Sequence, residues 1–212
     1  MAQAILLAIS TSAKPEVAIA STDRTIATGA DGQALESLLP AIVRALGGFG
    51  ATLDDVSLIG VCTGPGSFTG LRIGVTFAKT LAQSGLRRIV GVSAYDVAAF
   101  GRNDAQFPRA AIVAGKRDFF YARIVRSRGS DPQFAIGSAD EIRPVLERAC
   151  VRPTDVARIA DDSAPGERAR RVARIALRRF AEGAAGGWGD VAIDYGQRPN
   201  AVVNWEARRG RG

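Results

Sequence analysis

The stretch VSLIGVCTGPGSFTGLRIG, Val56 to Gly74, decides the fold. Val56 to Val61 is a short apolar run of the length and composition of a buried strand. It passes directly into Gly64-Pro65-Gly66-Ser67-Phe68-Thr69-Gly70, and from Leu71 to Ser84 the apolar residues Leu71, Gly74, Val75, Ala78, Leu81 and Ala82 recur at helical spacing. A strand that turns through glycines into a helix is one unit of a sheet that helices cover. Such a turn also presents unpaired backbone N–H groups and the positive end of the helix dipole. Gly64, Gly66, Ser67, Thr69 and Gly70 are therefore candidates for holding an anion or a nucleotide phosphate. The spacing fits neither a Walker A loop nor a dinucleotide fingerprint, because a Gly-Lys-Ser/Thr ending and the last glycine of GxGxxG are both missing. The competing reading is close packing, in which Gly70 and Gly74 admit a neighbouring backbone.

Upstream, Ala4 to Ile9, Glu16 to Ala20 and Arg24 to Thr28 read as a three-strand meander. Ser10-Thr11-Ser12 follows the first strand. The Ser10 and Thr11 hydroxyls could meet a phosphate or serve as turn formers bonded to their own backbone. Leu35, Leu38, Leu39, Ile42, Val43 and Leu46 then follow the helix period, with Pro40 either in the first turn behind a Ser37 cap or at a kink. Downstream, Arg88 to Val92 is a strand, and Ser93 caps a short helix reaching Phe100. The order β-β-β-α-β-α-β-α is complete by about residue 100.

A second, smaller unit follows, and the expected division is 1–104 and 105–212. Strands at Ala110 to Ala114 and Phe119 to Val125 are joined through Gly115-Lys116-Arg117-Asp118, which reads as a solvated turn or a phosphate contact. A helix at Asp140 to Cys150, a strand at Val156 to Ala160 and a helix at Glu167 to Phe180 complete the unit. The tail Arg208-Arg209-Gly210-Arg211-Gly212 is expected to be disordered. No sequence repeat links the two units.

The 212 residues contain no histidine and two cysteines, Cys62 and Cys150, which are expected to be reduced. Imidazole-based triads and the usual zinc sites are excluded. No catalytic residue, metal ligand or cofactor is assigned. No apolar run nears the roughly 20 residues needed to cross a bilayer, and no secretory leader is recognisable, so the cytoplasm is the expected location. The net charge of +7 suits RNA, or merely reflects an arginine-rich composition.

ILLAISTSAKPEVAIA, LESLLPAIVRAL, GPGSFTGLRIGVTFAKTLA and VGVSAYDVAA together resemble the N-terminal lobe of the TsaB (YeaZ) family. GPGSFTGLRIG is a block that this family shares with its catalytic relative TsaD. The likeness weakens past residue 100 and resumes in AAIVAGKRDFFYARI and, faintly, from Pro199 to Trp205. It implies an α/β fold of the actin, hexokinase and Hsp70 kind, ribonuclease H-like in each of two lobes. It also implies a non-catalytic subunit of the machinery that makes N6-threonylcarbamoyladenosine, the modified adenosine next to the tRNA anticodon. The implied partners are a TsaD-like catalytic subunit and a TsaE-like ATPase, with a homodimer when the chain is alone and only indirect or weak contact with tRNA.

The departures point the same way. Ser10 stands where the superfamily carries an acidic group for metal-nucleotide binding. Val113-Ala114-Gly115 replaces the family's Asp-Ala-Arg, and the histidine motif of TsaD has no counterpart. The helices from Leu35 and Leu71 each carry an apolar arc of roughly 200°, broader than the somewhat more than about 100° that covering a sheet requires. The resemblance implies pairing through these helices, so Leu39, Val43, Ile73, Phe77 and Leu81 are the expected partner interface. The alternatives are an ATP-dependent small-molecule kinase of the same superfamily and a basic RNA-binding module.

Overall fold

A computed structural model describes residues 4–85, 87–102, 106–115, 118–158 and 164–196. The Lys116-Arg117 part of the second hairpin turn, the end of the strand expected to reach Ala160, the Pro199–Trp205 stretch and the Arg208–Gly212 tail lie outside the described residues.

The first sheet has the order β3-β2-β1-β4-β5, built from β1 (Ile5–Ser10), β2 (Glu16–Ala20), β3 (Thr25–Gly29), β4 (Val56–Gly64) and β5 (Arg88–Ser93). β1, β2 and β3 form the antiparallel meander, and β4 and β5 add in parallel. Crossovers between parallel strands need helices, which α1 (Ala34–Phe49) and α2 (Phe68–Ser84) supply. β1 is buried on both sides, so its residues alternate between two cores. Leu7 and Ile9 join Val17, Ile19, Ile42 and Val75 under α1 and α2. Leu6 and Ala8 face the other way, onto the C-terminal helix.

The second sheet has the order β8-β7-β6-β9, from β6 (Arg109–Ala114), β7 (Phe119–Val125), β8 (Gln133–Ser138) and β9 (Val156–Arg158). Two antiparallel pairs and one parallel pair repeat the β1–β4 topology in reduced form. α3 (Ala94–Ala99) leads into this sheet, and α4 (Ala139–Arg148) crosses from β8 to β9. Ser138 and Glu141 form a capping box at the start of α4. β8 escaped the sequence reading because its large residues Phe134 and Ile136 are exposed on an edge strand, leaving no buried run to detect.

Two local expectations are corrected. Ser37 does not cap α1, which begins three residues earlier. Gln33 occupies the cap position without a side-chain bond, and the Ser37 hydroxyl donates back to the Gln33 carbonyl at 2.7 Å. Pro40 sits inside the helix. The helix expected at the end of the second unit, α5 (Glu167–Ala181), packs instead on the first sheet, touching all five of its strands. Its stripe of Ala169, Val172, Ala173 and Ala176 matches the small residues Ala8, Ala18 and Ala20. A Cβ placed on Gly60 of β4 would come within 2.9 Å of the Ala176 Cβ, so the helix lies as close as this sheet face permits. The stripe shows that α5 must bury one face and does not say against which sheet.

Candidate functional site

The glycine-rich turn and the end of β1 meet. After Gly64 the chain passes a cis bond to Pro65, and Ser67 caps α2 by accepting from the Gly70 N–H at 3.3 Å. The Ser67 N–H donates to the Ser12 carbonyl at 2.7 Å. A Cβ on Gly66 would run into Ser12, one on Gly70 into the Thr11 carbonyl, and one on Gly74 into the Thr11 side chain. Glycine is required at all three because the β1 turn occupies the space. Thr11 is fully buried and its Oγ1 has no hydrogen-bond partner among the described residues. Gly64 adopts a φ of +107°, and a Cβ there would strike the Asp194 carbonyl.

This junction floors a cleft of about 530 Å³ between the two sheets. Of the anion candidates, Ser67, Thr69 and Gly70 line the cleft. Ser10 and Thr11 lie beneath it, fully buried, and Gly64 and Gly66 are taken up by contacts with Asp194 and Ser12. Ser12, Lys14 and Gln33 complete the wall on the first-sheet side, with Ala114 and Gly115 opposite. The sequence reading missed Lys14, whose only signal was its place two residues after the Ser-Thr-Ser turn. Among the described lining residues Lys14 is the one charged side chain, and no carboxylate faces the cleft. No group of three His, Cys, Asp or Glu side chains that could hold a metal occurs among the described residues. The Cys62 thiol lies behind the cleft, with its pKa raised by burial.

A second feature is the outer face of α1 and α2. Leu35 is 76% exposed, Leu39 55%, Val43 61% and Phe68 54%. Leu35, Leu39, Phe68, Ile73 and Phe77 border an open groove of about 540 Å³ between the helices. Leu39 and Val43, expected at an interface, are exposed. Ile73, Phe77 and Leu81 are half-buried and pack against the core beneath. Leu35 and Phe68 are exposed as well and were not singled out from the sequence. Phe68 also stacks on Tyr195, with ring centroids 4.7 Å apart.

Two mixed sheets of matching topology, flanked by helices with a cleft between them, define an actin-like α/β protein. Solved structures agree. YeaZ from Pseudomonas aeruginosa superimposes with a TM-score of 0.69 at 22% identity, covering 91% of this chain and 99% of that one. A family model described as "TsaD: tRNA N6-adenosine threonylcarbamoyltransferase" matches residues 28–141, more than half of the chain. A tRNA threonylcarbamoyladenosine biosynthesis protein TsaB from Escherichia coli (strain K12) is 34% identical over 94 residues, 43% of this chain and 41% of that protein. Its counterpart TsaB from Bacillus subtilis (strain 168) is 47% identical over 66 residues, 31% of this chain and 29% of the relative. The matched part thus spans about two fifths or less of the length of these curated relatives. The chain belongs to the family that the matching model describes, on its TsaB (YeaZ) side.

Proposed function

We propose that this chain is a non-catalytic subunit in the biosynthesis of N6-threonylcarbamoyladenosine in tRNA. It pairs with a TsaD-like catalytic subunit through the α1/α2 face. The carrying observation is that face, where four large apolar side chains stand in water on two adjacent helices. Exposed apolar surface of this kind marks interaction sites. The curated TsaB relatives, named as biosynthesis proteins of this modification, support the pathway.

A subunit role also fits the cleft. Ser10, which ends β1, stands where the resemblance implies an acidic group for metal-nucleotide binding, and no described lining residue of the cleft carries a carboxylate. The same face serves a homodimer when the catalytic subunit is absent. A TsaE-like ATPase joins the assembly, and tRNA is held mainly by the other components. No described helix is long and apolar enough to cross a membrane, and the proposed pathway places the chain in the cytoplasm.

The test mixes purified chain with a TsaD-like subunit and follows complex formation by light scattering, then modification of tRNA by the mixture. Complex formation and chain-dependent modification are expected. Failure to form a complex would overturn the reading. So would ATP turnover by the chain alone in the ordinary enzyme range of about 1 to 10³ per second.

A further inference from the structure

On the side of the molecule bordered by α3, α5 and the second sheet lies a cavity of about 690 Å³. Five arginines line it, Arg102, Arg109, Arg123, Arg178 and Arg179, against two carboxylates among the described residues, Asp96 and Asp155. Asp155 is engaged by Arg152, which is not part of the wall, at 2.7 Å. Asp96 holds two of the lining guanidiniums at once. Its Oδ1 accepts from Arg123 at 2.6 Å and its Oδ2 from Arg179 at 2.7 Å. Arg179 is fixed further by donating to the Gly91 carbonyl at 2.8 Å, and Arg123 by lying 5.2 Å from the centroid of the Tyr95 ring.

A guanidinium has five N–H donors. These bonds occupy one on Arg123 and two on Arg179, so both retain donors in orientations already set. Arg102 and Arg178 stand exposed on the wall, and neither has an acidic partner among the described residues. Concave walls of one dominant charge focus their field, and planar, pre-oriented guanidiniums suit phosphate oxygens. Phe100 and Ile175 supply an apolar wall, and the volume lies in the range of about 300 to 1,000 Å³ typical of small-molecule sites.

We propose that this cavity binds a phosphate-bearing anion, with Arg123 and Arg179 as its fixed floor and Arg102 and Arg178 as closing side chains. The site is separate from the cleft and from the α1/α2 face, and it does not depend on the role in tRNA modification. The phosphate can come from a free diphosphate or from an RNA backbone, and two probes separate these.

The full chain is titrated calorimetrically with inorganic pyrophosphate and, separately, with a ten-nucleotide RNA. Both titrations are repeated with the double variant Arg102→Ser/Arg178→Ser and with a charge-matched control, Arg128→Ser/Arg143→Ser, whose arginines lie away from the cavity. All four positions are exposed, and circular dichroism checks the fold. Pyrophosphate affinity is expected to fall at least tenfold in the cavity variant and less than twofold in the control. The same pattern with RNA alone would assign the phosphate to a nucleic acid. No binding of either probe, or equal loss in both variants, would overturn the proposal.

Discussion

The carboxylate of Glu16, on β2, closes the N-terminus of α5 some 150 residues away in sequence and holds the guanidinium of Arg168. Its Oε2 accepts from the backbone N–H of Arg168 at 2.7 Å and of Ala169 at 3.2 Å, and its Oε1 accepts from the Arg168 side chain at 3.0 Å. Gly166, at the cap position, has no side chain to do this. A strand carboxylate thus replaces the missing cap and anchors α5 to the first sheet.

Replacing Glu16 should therefore be costly. Glu16 is 4% exposed, and Glu16→Ala leaves a largely buried guanidinium and two helix N–H groups without their acceptor. Breaking a buried charge pair from one side costs about 3 to 5 kcal/mol. Urea denaturation should show a loss of at least about 3 kcal/mol, whereas Glu147→Ala on the exposed face of α4 should stay within about 0.5 kcal/mol. Similar values for both variants would remove the anchoring role.

The Thr11–Gly74 contact gives a second prediction. Gly74→Ala puts a methyl group into the Thr11 side chain, and overpacking of this kind costs about 1 to 3 kcal/mol. Because Thr11 Oγ1 has no hydrogen-bond partner among the described residues, Thr11→Val should be neutral or slightly stabilising. Combining Gly74→Ala with Thr11→Ala should recover much of the loss. The check is thermal melting of the four proteins. A Thr11→Val variant that melts well below the native chain would mean that the hydroxyl has an unseen partner.

The α1/α2 face offers probes of unequal quality. Phe77 borders the groove but is half-buried and also packs on the core, so Phe77→Glu should damage the fold as well as any interface there. Leu39 and Val43 are exposed and can carry charge at little cost to the monomer. Leu39→Glu/Val43→Glu should melt normally and lose at least about 2 kcal/mol of association if these positions are hot spots. Light scattering with and without the TsaD-like subunit decides. Unchanged association would place the interface elsewhere.

Asp96 makes stability depend on acid. Burial raises its pKa, but the charges and hydrogen bonds of Arg123 and Arg179 outweigh that and hold it below the usual carboxylate range. A depressed folded-state pKa stabilises the native chain above the unfolded value of about 3.9. That contribution disappears as pH falls through the folded value. Asp96→Asn should therefore be less stable than the native chain at pH 7, and the gap should close below about pH 4. Denaturation curves at both pH values test this, and a gap that persists in acid would assign the effect to packing.

How much was legible followed from how local the signal was. Val56 to Gly74 announced a strand, a glycine turn and a helix because each is written in neighbouring residues, and the structure has β4, the turn and α2 there. Ser93 at the start of α3 was readable for the same reason, since its side chain caps a residue two places on. The glycine turn was open between an anion site and close packing. Ser67, Thr69 and Gly70 do border the cleft, while Gly66 and Gly74 are filled by Ser12 and Thr11, contacts formed by a turn more than fifty residues earlier.

The sequence by itself determined the periods, namely buried strands, two broad-arc helices and a basic helix with one alanine-rich stripe, because side-chain direction repeats every two or 3.6 residues whatever lies opposite. Only the tertiary structure decided what each face meets. It sent α5 to the first sheet, where alanines allow close approach, and set Glu16 at that helix's end. It divided the α1/α2 arcs into exposed Leu39 and half-buried Phe77. These outcomes rest on pairings between segments distant in the chain, and such pairings are settled by shape and charge complementarity that no single stretch of sequence contains.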